Sequence, residues 1–201
     1  MTHFFECLKQ FGDFKQLAFF RLLAFTGCRK SELLSLQWKD LDFLNKNARI
    51  GKTLALDENT QIIIQTPKTT SSTRSISLND ETVRIINNWR TIQRSDYLRI
   101  GFNTSNEEQF IFTNDRNELY YPQVVNDWLN YLIKKYQLPR ITPRHFRHTH
   151  ASLLLQAGVP VKEVSERFVH KDVKITLEIY SHVMPEEAEK TANKFANFVG
   201  F

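Results

Sequence analysis

Over residues 13–26 the apolar positions recur at the helical interval, with Phe14, Leu17, Ala18, Leu22 and Phe25 on one stripe. The stripe predicts a buried helix, and Gly27 is placed to end it. Ser31 stands at the start of a second helix, followed by Glu32, Leu33, Leu34 and Leu36, with Arg29 at the junction. The pattern changes over residues 48–78. Ala48-Arg49-Ile50, the run from Gln61 to Gln65, and the run from Arg74 to Leu78 are short and β-like. Turn-type residues separate them, at Asp57-Glu58-Asn59 and over 67–72. From Asn79 the helical interval returns, with Val83, Ile86, Trp89 and Ile92 on one face. Residues 103–117 are polar and loop-like around Phe110-Ile111-Phe112. Further helices are expected over 122–136, 144–157, 160–167, 172–180 and 186–198. The expected fold class is α+β, mostly α, with one small three-stranded antiparallel sheet.

A chain of 201 residues, 41% hydrophobic, is long enough for one compact domain with a sizeable core. Residues 1–12 form a lead-in helix and 185–201 a helical tail. The net charge of +5 favours a polyanionic partner. Cys7 and Cys28 make no disulfide framework and suit a reducing compartment. No apolar run approaches the roughly 18 residues of a membrane span. No signal peptide opens the chain, so a soluble cytoplasmic protein is expected. His145, His148 and His150 do not converge on one helix face, and no cysteine or carboxylate clusters with them; no metal site is expected.

The candidate chemistry centres on Tyr180, in Glu178-Ile179-Tyr180-Ser181-His182. A phenol with a pKa of about 10 is protonated at neutral pH and needs nearby cations to act as a nucleophile. Arg29, Lys68, Arg147 and His170 supply cations and donors that together suit an anionic phosphodiester. Arginine is apt because its planar fork bonds two oxygens at once. Pro143 is placed to start a helix on which Arg144 and Arg147, three apart, share a face. Taken singly, each residue has a plainer explanation. Arg29 is then a surface arginine, Lys68 a solvated turn lysine, His170 a structural histidine and Tyr180 a core tyrosine.

The blocks Thr26-Gly27-Cys28-Arg29-Lys30-Ser31-Glu32-Leu33, Thr66-Pro67-Lys68-Thr69, Phe146-Arg147-His148-Thr149, His170 and Tyr180 occur in one order. In that order they resemble the catalytic domain of tyrosine site-specific recombinases, the phage and conjugative-element integrases, from about Leu17 to His182. The resemblance implies that Tyr180 attacks a DNA phosphate, forming a 3′-phosphotyrosyl bond and freeing a 5′ hydroxyl. It assigns Arg29 and Arg147 to the phosphate oxygens, Lys68 to protonation of the leaving 5′ oxygen, and His170 to a phosphate hydrogen bond. Glu32 would orient an arginine. The covalent bond conserves the energy of the broken linkage, so no cofactor, ATP or metal is expected.

Two positions depart from the family pattern. Arg144 stands where the family usually has histidine; it can donate to phosphate but is no base near neutral pH. Val169, in Phe168-Val169-His170, replaces a glycine. These departures leave open a DNA-binding remnant that cuts poorly, and the shared chemistry leaves open a type IB topoisomerase. Double-stranded DNA is the expected partner. The tail carries Ala188, Ala192, Phe195, Ala196 and Val199 on one stripe, which either caps the chain's own core or docks on a neighbouring protomer. The core-binding and arm-binding domains that precede the catalytic domain in the family are not expected in this chain. A bacterial host and a phage or mobile element as its source follow from the same resemblance.

Overall fold

A computed structural model describes residues 1–66 and 73–168. The chain opens on α1 (Thr2–Phe11), closed by Gly12 in the left-handed conformation. Asp13 caps the next helix, α2 (Phe14–Thr26), accepting from the Gln16 backbone amide at 3.0 Å. This helix is apolar on several faces and accordingly fully buried at Phe19, Phe20, Leu22 and Leu23. Gly27 ends it at φ 66°, its amide returning to the Leu23 carbonyl at 3.2 Å.

Next comes the short helix α3 (Lys30–Leu34). It starts one residue ahead of Ser31, because the cap is supplied from inside the helix: the Glu32 carboxylate accepts from the Arg29 amide at 2.8 Å. After a 3-10 turn at Trp38–Asp40 come five strands: β1 (Leu41–Asp42), β2 (Asn47–Ile50), β3 (Thr53–Leu56), β4 (Ile62–Gln65) and β5 (Arg74–Ser77).

A three-stranded antiparallel sheet forms, but its membership differs from the expected one. Its order is β1-β2-β5, while the run from Gln61 to Gln65 supplies β4 to a separate two-stranded sheet with β3. Burial explains the choice. The β2–β5 register sets Ala48 opposite Ile76, both buried, so these strands share a core-facing side. The isoleucines of β4 are only half-buried, and a tight turn brings β3 beside them, with Thr60 N bonded to Asp57 O at 3.0 Å.

Asn79 caps α4 (Asp80–Arg99), accepting from the Thr82 amide at 3.1 Å. Its inner face carries Ile86 and Trp89, as expected, and also Ile85, Gln93 and Tyr97. Gln93 satisfies the Trp38 indole at 2.7 Å and the Phe110 carbonyl at 2.9 Å, which fixes the loop at 103–117 on this helix. Helices α5 (Val124–Tyr136), α6 (Pro143–Gln156) and α7 (Val161–Phe168) complete the described elements, each within two residues of its expected span.

Two compact units divide the chain, Met1–His150 and Ala151–Phe201. In the first, Phe4, Phe20 and Phe146 form a triangle of rings 5.1–5.7 Å apart. Phe146 thereby ties the first turns of α6 to α1 and α2. In the second, Ala151, Leu155, Val164 and Phe168 form a cluster of their own. No helix among the described residues is long and apolar enough to cross a membrane. The helices expected over 172–180 and 186–198, and the tail stripe, lie outside the described residues.

Candidate active site

The turn that joins α2 to α3 organises the candidate site. Gly27, left-handed, redirects the chain so that Arg29 stands immediately before α3 with its side chain 56% exposed. Its partner Glu32 is nearly buried, at 8%. The Glu32 carboxylate is held from two directions. Oε1 accepts from Arg29 Nη1 at 3.2 Å and Arg74 Nη1 at 3.1 Å; Oε2 accepts from the Arg29 amide at 2.8 Å and Arg74 Nη2 at 2.8 Å. Burial pushes this carboxyl up, but the hydrogen bonds and charges of Arg74 and Arg29 outweigh it and hold the group below its ordinary range. The expectation that Glu32 partners an arginine is met, with Arg74 added.

Arg147 reaches the same turn from α6. Its Nη1 donates to the Gly27 carbonyl at 2.7 Å. Thus the structure anchors Arg147 to the peptide two residues before Arg29. Burial first, and the Arg29 charge second, push the Arg147 guanidinium down to about 10. It stays protonated at neutral pH. Among the described residues, the guanidiniums of Arg29, Arg74 and Arg147 gather around one buried carboxylate, Glu32. Such a gathering of guanidinium groups suits an anion with several oxygens.

The start of α6 is built as its sequence implies. Pro143 is the first helical residue, and Thr142 precedes it, its amide donating to His145 Nδ1 at 3.0 Å. His145 therefore serves the helix end, facing elsewhere than Arg147. Arg144 is exposed and donates from Nε to His148 Nε2 at 3.2 Å, one turn on. Burial, then Arg144, His145 and Arg147, push His148 below its ordinary value, in keeping with its Nε2 accepting this bond. Of the sequence-derived site residues, the structure brings Arg29 and Arg147 together and sets Arg144 on His148. Lys68, His170 and Tyr180 lie outside the described residues.

Arg74 and Cys28 were not among the expected site residues. Cys28 is fully buried, its thiol pushed up by burial, and Arg74 Nη2 donates to its sulfur at 3.6 Å. Strand parity held the signal for Arg74. It alternates with Ile76 and Leu78, both buried, so an arginine at that position faces inward.

Known proteins resemble this chain over most of its length. The sequence model of the phage integrase family matches residues 3–187. The chain is 28% identical over 179 residues to the ICEBs1 integrase of Bacillus subtilis, covering 88% of this chain and 47% of that protein. It is 32% identical over 178 residues to the integrase of Staphylococcus phage L54a, covering 85% and 49%. The chain thus spans about half the length of the curated relatives it matches. Among solved structures, the Tn1549 transposon integrase in complex with transposon right end DNA superposes with a TM-score of 0.74 at 29% identity, over 89% of this chain and 58% of that one. XerA recombinase shares the fold, with a TM-score of 0.70 at 20% identity over 96% and 62%. With the family's sequence model spanning nearly the whole chain and the arginine-bearing turn in place, the chain belongs to the phage integrase family.

Proposed function

We propose that this chain is the catalytic part of a tyrosine recombinase that cuts and rejoins double-stranded DNA. Tyr180 is the nucleophile. Its oxygen bonds to the scissile phosphorus, the bond to the 5′ oxygen breaks, the phenol proton passes to solvent water, and Lys68 delivers a proton to the leaving 5′ oxygen. Arg29 and Arg147 bind the non-bridging oxygens and His170 donates a further hydrogen bond. Attack by another strand's 5′ hydroxyl reverses the step and regenerates the phenol. Arg144 adds positive charge but takes no proton.

The observation that carries this reading is the pairing of Arg29 and Arg147 on one turn, with Glu32 held by the two-pronged Arg74 fork and by only one Arg29 side-chain bond. The relatives named as integrases, and the DNA-bound Tn1549 integrase, support the same substrate. The tail from 185 to 201 docks on a neighbouring protomer when copies assemble on DNA, and the protein acts in the cytoplasm of a bacterium carrying a phage or mobile element.

A labelled duplex nicked beside the cleavage site traps the covalent product, because the short leaving strand diffuses away. The protein should form an adduct that survives a denaturing gel. Tyr180→Phe should form none, while binding DNA as well as the parent. A second reading, a DNA-binding relative that cuts poorly, is favoured by the solvent-facing Arg144 and its bond to His148. It predicts binding without an adduct from the parent chain, and recovery of cleavage in Arg144→His. Relaxation of supercoiled plasmid lacking any recombination site would instead mark a topoisomerase.

A further inference from the structure

We propose that Arg74 is a positioning residue for the strand-transfer step: by occupying Glu32 it leaves Arg29 charged and free to turn toward the phosphate. The inference rests on the strand-transfer reading above and deepens it.

Glu32 is the only carboxylate that the described structure places against Arg29. A carboxylate and a guanidinium left alone form a bidentate pair, two parallel bonds, and the pair is neutral. That arrangement would cancel the Arg29 charge and hold its fork toward Glu32. The fork–fork pair is instead made with Arg74, through Nη1 at 3.1 Å and Nη2 at 2.8 Å. Arg29 is left with one side-chain bond, from Nη1 at 3.2 Å, and its amide bond. Its guanidinium remains over half exposed, whereas Arg74 is 8% exposed.

Stability does not account for Arg74. A buried ion pair about breaks even against apolar residues of similar volume. Here the pairing also leaves Arg74 Nε buried with no hydrogen-bond partner among the described residues, an added cost. Strand β5 fixes the residue instead for orientation: Arg74 stands opposite Ile50 at the end of the β2–β5 ladder, and the side chain of Thr73 lies against Gly51, 3.2 Å from where a Cβ there would sit. Both the backbone of Arg74 and its fork are held, so Glu32 stays committed to Arg74 and does not turn both oxygens to the Arg29 fork.

The test uses the full chain, single-turnover cleavage of the nicked duplex at saturating DNA, DNA affinity and thermal unfolding. Arg74→Gln should slow cleavage by roughly tenfold to a hundredfold, the scale of a misplaced catalytic group. DNA affinity should change little, because one phosphate among many is affected. The distinguishing variant is the double substitution Arg74→Gln with Glu32→Gln. A neutral amide no longer captures Arg29, so the double variant should cleave faster than Arg74→Gln alone. A purely structural pair predicts the opposite, with the double variant no faster and unfolding temperature falling in step with rate; that result overturns the inference. If Arg74→Gln does not fold, Arg74→Lys takes its place with the same expectations, and failure of both to fold makes Arg74 a folding residue and also overturns it. An unsubstituted chain that forms no adduct sinks the strand-transfer reading itself. An adduct-forming chain indifferent to Arg74 sinks only this inference.

Discussion

Arg147 holds its charge where burial and Arg29 both oppose it, and the guanidinium falls from its ordinary value to about 10. A base whose folded pKa lies below its unfolded one costs stability wherever it is protonated, so the penalty is present below about pH 10 and relieved above it. A bound anion offsets the same penalty at neutral pH. Inorganic phosphate should therefore raise the unfolding temperature of the chain at pH 7, and Arg147→Gln should remove most of that response. Calorimetry with and without phosphate checks it; an undiminished response in Arg147→Gln would put the anion elsewhere. At this scale the sequence was informative where residues sit in strings. Arg29 and Arg147 lie in ordered blocks, and the structure sets both at the Gly27 turn. Arg74 was not legible in the sequence, because a charged residue in a short alternating strand looks solvent-facing until its parity with Ile76 and Leu78 is weighed. Arg144 was placed on the correct helix, but its bond to His148 depends on rotamers that spacing does not determine.

The elements repeat this division between local and non-local information. Helices α2, α4, α5, α6 and α7 follow from apolar periodicity and from caps at Asp13, Asn79 and Gly27. The sheet did not follow, because β2 skips the adjacent β3–β4 hairpin to pair with β5, and that partner is selected by which strands share buried faces. Gly27 is where element and site meet. Its left-handed φ of 66° ends α2 and aims the carbonyl that Arg147 binds. Gly27→Ala should cost about 1–2 kcal/mol, the penalty of a Cβ in that conformation. Denaturant unfolding measures the loss, and cleavage should fall by more than the lost stability explains. An unchanged midpoint would mean the turn relaxes and does not hold Arg147 as described.

For the whole molecule, a net charge of +5 and a fold shared with DNA-bound integrases favour contacts to the phosphate backbone. Binding of this chain to duplex DNA should be weak and steeply salt-dependent, with log K falling by about 0.9 per log of salt for each phosphate neutralised. Titrations at several salt concentrations give the slope, and an affinity indifferent to salt would remove the DNA-tracking surface. The central claim is that Tyr180 forms the bond to DNA, and the most direct measurement is to find that bond. After reaction with a nicked duplex and digestion by protease and nuclease, mass spectrometry should locate a nucleotide on the peptide containing Tyr180 and on no other tyrosine. A nucleotide on a different residue, or an adduct that persists in Tyr180→Phe, would contradict the account.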